Sequence, residues 1–423
     1  MPTTQLPAPT PDLQALDCDV FCRVVDNFGD AAVCWRLARS LALEQGFATR
    51  LIIDRLEELS ALQPGIDSAR PIQDFDRVRI VRADHFVEAQ TGNAGGRARV
   101  PAIAIDAFGG GLPELQMQAL AARSPRGLLI VLEYLSAEDW VGAHHRLASP
   151  HPTLSVRRRF FFPGFTADTG GLLRERGLIE ARRAFQAARQ ARADFWRSLG
   201  HAEPTAVSRV VSLFGYATPS LPAMLPALLD AMAEGAQPTV LALAPGPLAL
   251  ATREWLVGRG QPLAQGAAPW HARVGALELR ALPFLAQPDY DRLLWSCDLN
   301  LVRGEDSLVR ALWAGSPLVW QLYPQDGHAH CAKLEAFLAR WRSAGDGAPG
   351  DRAALDRLDQ FHRIWNGCAR PAAAAAQPIG TAWTDLLAAL PALAPVASRF
   401  CDDQAGLPDL AAALAAFCRE QLK

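Results

Sequence analysis

The chain has 423 residues, with 42 Lys and Arg set against 44 Asp and Glu and a formal net charge of −2. That length suggests about two or three domains, and a composition that is 50% hydrophobic and 20% charged supplies a large core and excludes global disorder. Balanced, scattered charge argues against a nucleic-acid coat, and the lack of an apolar run of about 18 residues argues against a membrane-spanning helix. The first stretch, 1–14, has neither a basic region nor an apolar core, so it does not read as a signal peptide and a cytoplasmic protein is expected.

The predicted elements alternate along the first half. Asp19 to Val25 reads as a strand that runs into Asp26-Asn27-Phe28-Gly29-Asp30. Val33, Cys34, Leu37, Leu41 and Leu43 then fall near helical spacing over 31–45, and Gly46 ends that helix. Strands follow over 49–54 and 79–81. The runs 101–108 and 127–133 are continuously apolar, as strands buried on both faces are, and the first ends in Gly109-Gly110-Gly111. Strand–turn–helix repetition of this kind implies a parallel sheet in a doubly wound α/β domain.

Residues 175–200 are polar and rich in Arg and Ala, with helical periodicity, and read as a connecting helix. The alternation restarts with strands over 208–214, 239–244, 277–282, 299–302 and 317–322, and with helices over 222–233 and 308–314. The stretch 369–377 is of low complexity and reads as a surface insertion. The expected architecture is α/β, with two facing Rossmann-like domains over 1–190 and 191–399 and a C-terminal helix within 400–423 that completes the first. Ligands are expected at the carboxyl ends of the strands.

Lys333 and Lys423 are the only lysines, which leaves arginine as nearly every cation, a pattern that fits a coding bias better than a phosphate-binding surface. The eight cysteines form no CxxC pair and are expected to be mostly buried thiols. His328 and His330 make an HxH with no further ligand run beside it, so a structural or substrate-contacting role is expected rather than a metal site. Asp17-Cys18-Asp19 has the spacing of a metal-binding DxD, but two aspartates so placed arise often by chance.

Two constellations carry chemistry. The first, Asp26 to Asp30, sits where a dinucleotide fold would carry GxGxxG, yet offers one glycine and two carboxylates. Carboxylates repel a phosphate, so this loop is suited to accept a proton or orient a cation; equally, Asp30 could be a helix cap and Asp26 a turn residue. The second is Arg303-Gly304-Glu305-Asp306-Ser307, which opens a helix after a strand. Its free backbone N–H groups, hydroxyl and guanidinium form a natural diphosphate cradle. Phe214-Gly215-Tyr216 and Phe284 also stand at strand ends.

The runs 21–42 and 302–338, containing NFGD, RGEDS and YPQD, resemble the EarP family of bacterial protein-arginine rhamnosyltransferases. The domain order, the FxY segment and the LPF–Q segment agree as well. The resemblance implies an inverting GT-B glycosyltransferase that moves L-rhamnose from dTDP-β-L-rhamnose to one arginine of elongation factor P, which then acts on ribosomes stalled at polyproline. It implies no metal, no nucleic acid and no membrane. Position in the motifs gives Phe214, Tyr216, Phe284 and Gln287 to the thymidine. Arg303, Ser307 and Tyr323 go to the diphosphate, with Glu305 and Asp306 nearby, and Phe28, Gly29, Gln325 and Asp326 complete the donor side. Asp30 is taken as base and Asp26 as its aligning partner, with Glu305 counted among the catalytic groups. Alternatives at this point are a GT-B enzyme with another sugar and acceptor, and a non-catalytic nucleotide-sugar-binding protein. Ala31-Ala32, Ala217 and Gly327 depart from the family pattern.

Overall fold

The computed structural model describes the chain apart from residues 1–15, 26–27, 87–99, 111, 124, 219, 231–236, 262, 264–268, 346–348 and 370–377; at 227–230, 326 and 349 it describes the backbone only. Asp26, the N-terminal tail and nearly all of the low-complexity stretch therefore lie outside the described residues.

The first sheet contains β1 (Asp17–Cys22), β2 (Ala48–Ile53), β3 (Ile72–Phe75), β4 (Val78–Arg82), β5 (Ile103–Ala107), β6 (Leu128–Leu132) and β7 (Arg157–Phe161). Their order is β3-β4-β2-β1-β5-β6-β7, parallel except for β3. Val20 lies between Leu51 and Ile105 at the centre of this register, and all three are fully buried. The second sheet contains β8 (Arg209–Leu213), β9 (Thr239–Leu243), β10 (Trp270–Val274), β11 (Leu277–Ala281), β12 (Leu299–Arg303) and β13 (Leu318–Gln321). Its order is β10-β11-β9-β8-β12-β13, with β10 antiparallel to its neighbour. In each sheet the chain reverses its direction of travel beside the first strand. The crevices at the ends of β1 and β8 are thus topological switch points, where ligands bind in such sheets.

Three strands escape the sequence reading: β3, β7 and β10, all at sheet edges. Their sequences (IQDF, RRRFF and WHARV) are polar enough to face solvent on one side, so they lack the apolar run that marks the inner strands. The connecting segment is two helices, Leu178–Ala187 and Arg189–Ser198, separated by Ala188 in extended backbone. The last helix, Leu410–Leu422, is capped by the Asp409 carboxylate, which accepts from Ala412 N at 2.9 Å, and it packs Leu410, Leu414, Phe417 and Cys418 into the core of the first sheet.

The structure adds two features that the sequence reading did not contain. The helical stretch Ile379–Leu422 is long and apolar enough to cross a membrane, because Thr384, Asp385 and Ser398 interrupt its run without lowering its mean hydropathy far. Its Trp383, Leu386, Val396 and Phe400 are nevertheless packed in the second core, as in the central helix of a globular domain. Six cysteines are buried free thiols, but Cys331 and Cys368 form a disulfide with Cα atoms 5.6 Å apart. The fold brings the start of the helix Ala329–Ser343 to the end of Pro349–Trp365, a proximity that 37 residues of sequence separation concealed.

A buried ionic network joins the two sheets. Arg36, on the helix Gly29–Leu43, pairs with Glu175 at 2.7 Å and with Asp306 at 2.6 Å. Arg310, one turn beyond Asp306 on the helix Gly304–Ala314, pairs with Glu175 at 2.9 Å and Asp291 at 3.2 Å. Burial alone would raise Glu175, but Arg36 and Arg310 outweigh it and hold its carboxyl well below the ordinary range. Burial pushes Asp291 from its ordinary 3.8 up to about 7, opposed in part by Arg310 and reinforced by Glu175. Between those two values the folded chain keeps a proton that the unfolded chain has lost, so this group's contribution to stability falls as pH rises through that window. Asp291→Asn removes the loss. Its melting temperature relative to wild type should climb from about pH 5 to about pH 8 by calorimetry, and a flat difference would show that Asp291 ionises normally.

Candidate active site

The acidic wall of the cleft is built by β1 and the helix after it. Asp30 lies in the first turn of Gly29–Leu43, where the helix N-terminus favours a carboxylate, and is 4% exposed. Its Oδ2 accepts from the N–H of Val25 at 2.8 Å, which closes the intervening loop and fixes the carboxylate. Phe28 precedes the helix and reaches Phe284 of the second domain, with ring centroids 5.0 Å apart. Gly29 lines the cleft on both sides of that contact. The fold thus brings Asp30, Phe28 and Gly29 to one place.

The opposite wall is the start of Gly304–Ala314. Arg303 ends β12, and its guanidinium lies 4.6 Å from the ring centroids of both Phe214 and Tyr216. Two aromatic faces therefore clamp one flat cation at the mouth of the helix. Ser307 sits one turn in and lines the same cavity as Tyr290, whose buried hydroxyl has no hydrogen-bond partner among the described residues and whose titration burial pushes upward. The first-turn N–H groups of this helix point to the cleft, as required for an oxyanion or diphosphate.

Glu305 spans the cleft. Its Oε1 accepts from Lys333 Nζ at 2.7 Å, and its Oε2 from Leu135 N of the first domain at 2.8 Å. Asp306 lines the same space, but its Oδ1 is held by Arg36. Both acids brace the two walls together. Gln287 opens the helix Gln287–Trp295 and is buried, with Nε2 unpartnered within the protein, at the end of the cleft lined by Phe28 and Phe284. A buried, unpaired amide facing a cavity is a feature that a ligand carbonyl satisfies.

Tyr323 is 63% exposed and meets Tyr216 edge to face at 5.4 Å. Gln325 lines the cavity, and its backbone N–H donates to His330 Nδ1. The ring of His330 also contacts Asn366 O through Nε2, so the HxH is structural at its second member. His328, His330 and Cys331 bring ligand atoms within 4.8 Å of one another, yet Cys331 is in the disulfide and both nitrogens of His330 are engaged. Asp19 of the DxD is buried against Arg50 at 2.5 Å. The side chains of Asp26 and Asp326 lie outside the described residues.

Several site residues had no place in the sequence reading. Lys333 was counted as one of two lysines but given no role; that rarity was its signal. Gln321 ends β13 and accepts from Tyr216 N at 2.8 Å, which sets the turn after β8. Arg36 and Glu175 carry no motif. Phe108 and Tyr134, at the ends of β5 and β6, line the cavity of about 500 Å³ that also contains Asp30 and Glu305.

Two α/β domains whose switch points face one cleft, with a carboxylate on one wall and a clamped arginine plus helix N-terminus on the other, define a glycosyltransferase of the GT-B class. The family model described as Elongation-Factor P (EF-P) rhamnosyltransferase EarP matches residues 18–419. A protein-arginine rhamnosyltransferase from Pseudomonas aeruginosa is 44% identical over 352 residues, which cover 82% of this chain and 86% of the relative. One from Neisseria meningitidis serogroup B is 33% identical, over 76% and 77%. A solved structure described as the basis for EarP-mediated arginine glycosylation of translation elongation factor EF-P matches 96% of this chain and 99% of its own, at 31% identity and TM-score 0.60. The chain belongs to the EarP family of protein-arginine rhamnosyltransferases.

A Cβ at Gly215 would lie 2.5 Å from both Gln321 Oε1 and Leu248 Cδ1, so a side chain there displaces the Gln321 amide that holds Tyr216 N. Gly215→Ala is expected to weaken nucleoside diphosphate binding about tenfold by calorimetric titration, with the melting temperature little changed. Unchanged affinity would show that Tyr216 does not need this turn.

Proposed function

We propose that this enzyme transfers L-rhamnose from dTDP-β-L-rhamnose to one arginine side chain of elongation factor P with inversion at the anomeric carbon. The observation that carries the reading is the buried carboxylate of Asp30 in a cavity that shares Gly29, Gly304 and Glu305 with the adjoining one lined by the clamped Arg303. A guanidinium is a poor nucleophile because its lone pairs are delocalised and its pKa exceeds about 12. A carboxylate pairs with it geometrically and can take its proton as the C–N bond forms.

In the proposed step an arginine Nη attacks C1 of the sugar from the face opposite the leaving group. The bond from C1 to the diphosphate oxygen breaks, the electron pair leaves with dTDP, and the Nη proton passes to Asp30. Arg303 and the N–H groups of the helix Gly304–Ala314 take up the charge that develops on the diphosphate, so the reaction as proposed needs no metal. Phe28, Phe284 and Gln287 suit the thymidine: two rings for the base and an unpaired buried amide for its carbonyl edge. Asp26, beside Asp30 in the sequence, is assigned to align the acceptor. Tyr323, Gln325 and Asp326 are assigned to the donor. Glu305 acts by holding the walls in register. An enzyme with this acceptor works in the cytoplasm.

Incubation with elongation factor P and dTDP-β-L-rhamnose should add one deoxyhexose to a single arginine, read by intact mass and peptide mapping. Asp30→Asn should lower turnover by roughly 10²–10⁴ while dTDP binding stays within error. Modification at the wild-type rate in that variant would remove Asp30 as base. Absence of any mass gain with wild-type enzyme and retained dTDP binding would remove elongation factor P as acceptor.

A further inference from the structure

We infer that the stacked pair Phe108–Tyr134 is the platform on which the acceptor guanidinium lies while Asp30 takes its proton. This rests on the arginine-transfer reading above and adds the residues that select and present that side chain. The two ring centroids are 4.4 Å apart with planes 13° from parallel. Both residues stand at the carboxyl edge of the first sheet, after strands paired through Ala107 and Leu132, beside the crevice that holds Asp30.

Phe108 has φ +60°, a left-handed backbone that non-glycine residues rarely adopt, and its N–H is fixed on Leu132 O at 2.7 Å. Gly109 follows at φ +65°. A residue that served only to fill the core would not need an aromatic ring at such a position. Tyr134 is 40% exposed, so its ring is spent on the cavity wall as much as on packing. Strain held at a cavity wall points to a role in that cavity.

The cleft divides its aromatic residues in a way that leaves this pair to the acceptor. Phe214 and Tyr216 are committed to Arg303, and Phe28 and Phe284 line the end that contains Gln287. Phe108 and Tyr134 line the other end, which holds Asp30 and Glu305; Tyr216, Tyr323 and Trp320 also reach it, but Tyr323 meets Tyr216 edge to face and Trp320 is engaged by Gly304 O and Lys333. A planar, weakly hydrated guanidinium stacks on an aromatic face and leaves its N–H edge for a carboxylate. The same contact fixes the plane of the cation, so that one N–H edge is presented to Asp30 as its proton leaves. An ammonium gains less from a flat surface, so the platform selects arginine over lysine.

Phe108→Gly removes the ring at a backbone position that glycine prefers. It should raise KM for elongation factor P about tenfold or more, with the dissociation constant for dTDP unchanged. Tyr134→Leu should do the same, whereas Tyr134→Phe should stay within about twofold of wild type. Wild-type KM in Phe108→Gly would overturn the inference, as would a parallel loss of dTDP affinity and melting temperature. A second readout does not depend on which protein is the acceptor. With dTDP present, saturation-transfer NMR should detect Nα-acetyl-arginine methylamide on the wild-type enzyme but not on Phe108→Gly, and should not detect the lysine analogue. Equal signals from both enzymes, or none from wild type, would overturn the inference whether or not elongation factor P is modified.

Discussion

The site depends on one guanidinium. Arg36 is 2% exposed and is held by Glu175, by Asp306 and by the carbonyl of Leu173. Burying such a cation costs several kcal/mol unless its partners are in place, and those partners come from the linker and from the second domain. The helix Gly29–Leu43 also carries Asp30, while the helix Gly304–Ala314 carries Asp306 and supplies the N-terminus behind Arg303. The pairing that satisfies Arg36 therefore fixes the spacing between the proposed base and the leaving-group cradle. Arg310 repeats the arrangement one turn further on through Glu175, so a single glutamate is shared by both helices.

The cleft sets Asp30 and the clamped Arg303 on different walls, and Arg303's wall also carries Glu305 and Asp306, which are tied to Lys333 and Arg36. A nucleotide-binding turn after a first strand usually brings bare glycines and a helix N-terminus to a pyrophosphate. In this chain the sequence of that turn carries acids, and a glycine turn with a helix N-terminus follows β12 instead, where Gly304 stands at φ +68°. Gly304 also offers its carbonyl to Trp320 Nε1 at 2.9 Å, so the turn is held from the neighbouring strand. On the reading proposed above, Asp30 suits the cationic acceptor and Arg303 the donor's phosphates, so each substrate meets a group of opposite charge.

The inner strands were legible because both of their faces are covered: 101–108 and 127–133 are apolar without interruption, and the structure places β5 and β6 within them. The edge strands β3, β7 and β10 were not, since their sequences mix polar residues in, whereas the edge strand β13 is apolar and buried and was read over 317–322. Motif residues followed the same logic. Asp30 and Arg303 to Ser307 each fall in one contiguous run that leads from a strand into a helix, so local sequence reports them. Phe108, Tyr134, Gln321 and Glu175 lie on separate turns, and only the strand order puts them together. Asp306 shows the limit from the other side. Its position in RGEDS suggested the donor, whereas its carboxylate is engaged by Arg36, a residue 270 positions away.

The contrast between Arg303 and Lys333 shows why a chain with almost no lysine places one here. Arg303 must lie flat between two rings, and a planar guanidinium does that. Glu305 has a different need. One of its oxygens is committed to Leu135 N, across the domain boundary, and a fork-shaped cation binding both oxygens would compete for it. The ammonium of Lys333 is a point charge that engages Oε1 alone, steadied above Trp320 at 5.8 Å from the ring centroid. It neutralises Glu305 without breaking the bond that joins the walls. Arginine at this position would retain the charge and lose the division of labour between the two oxygens.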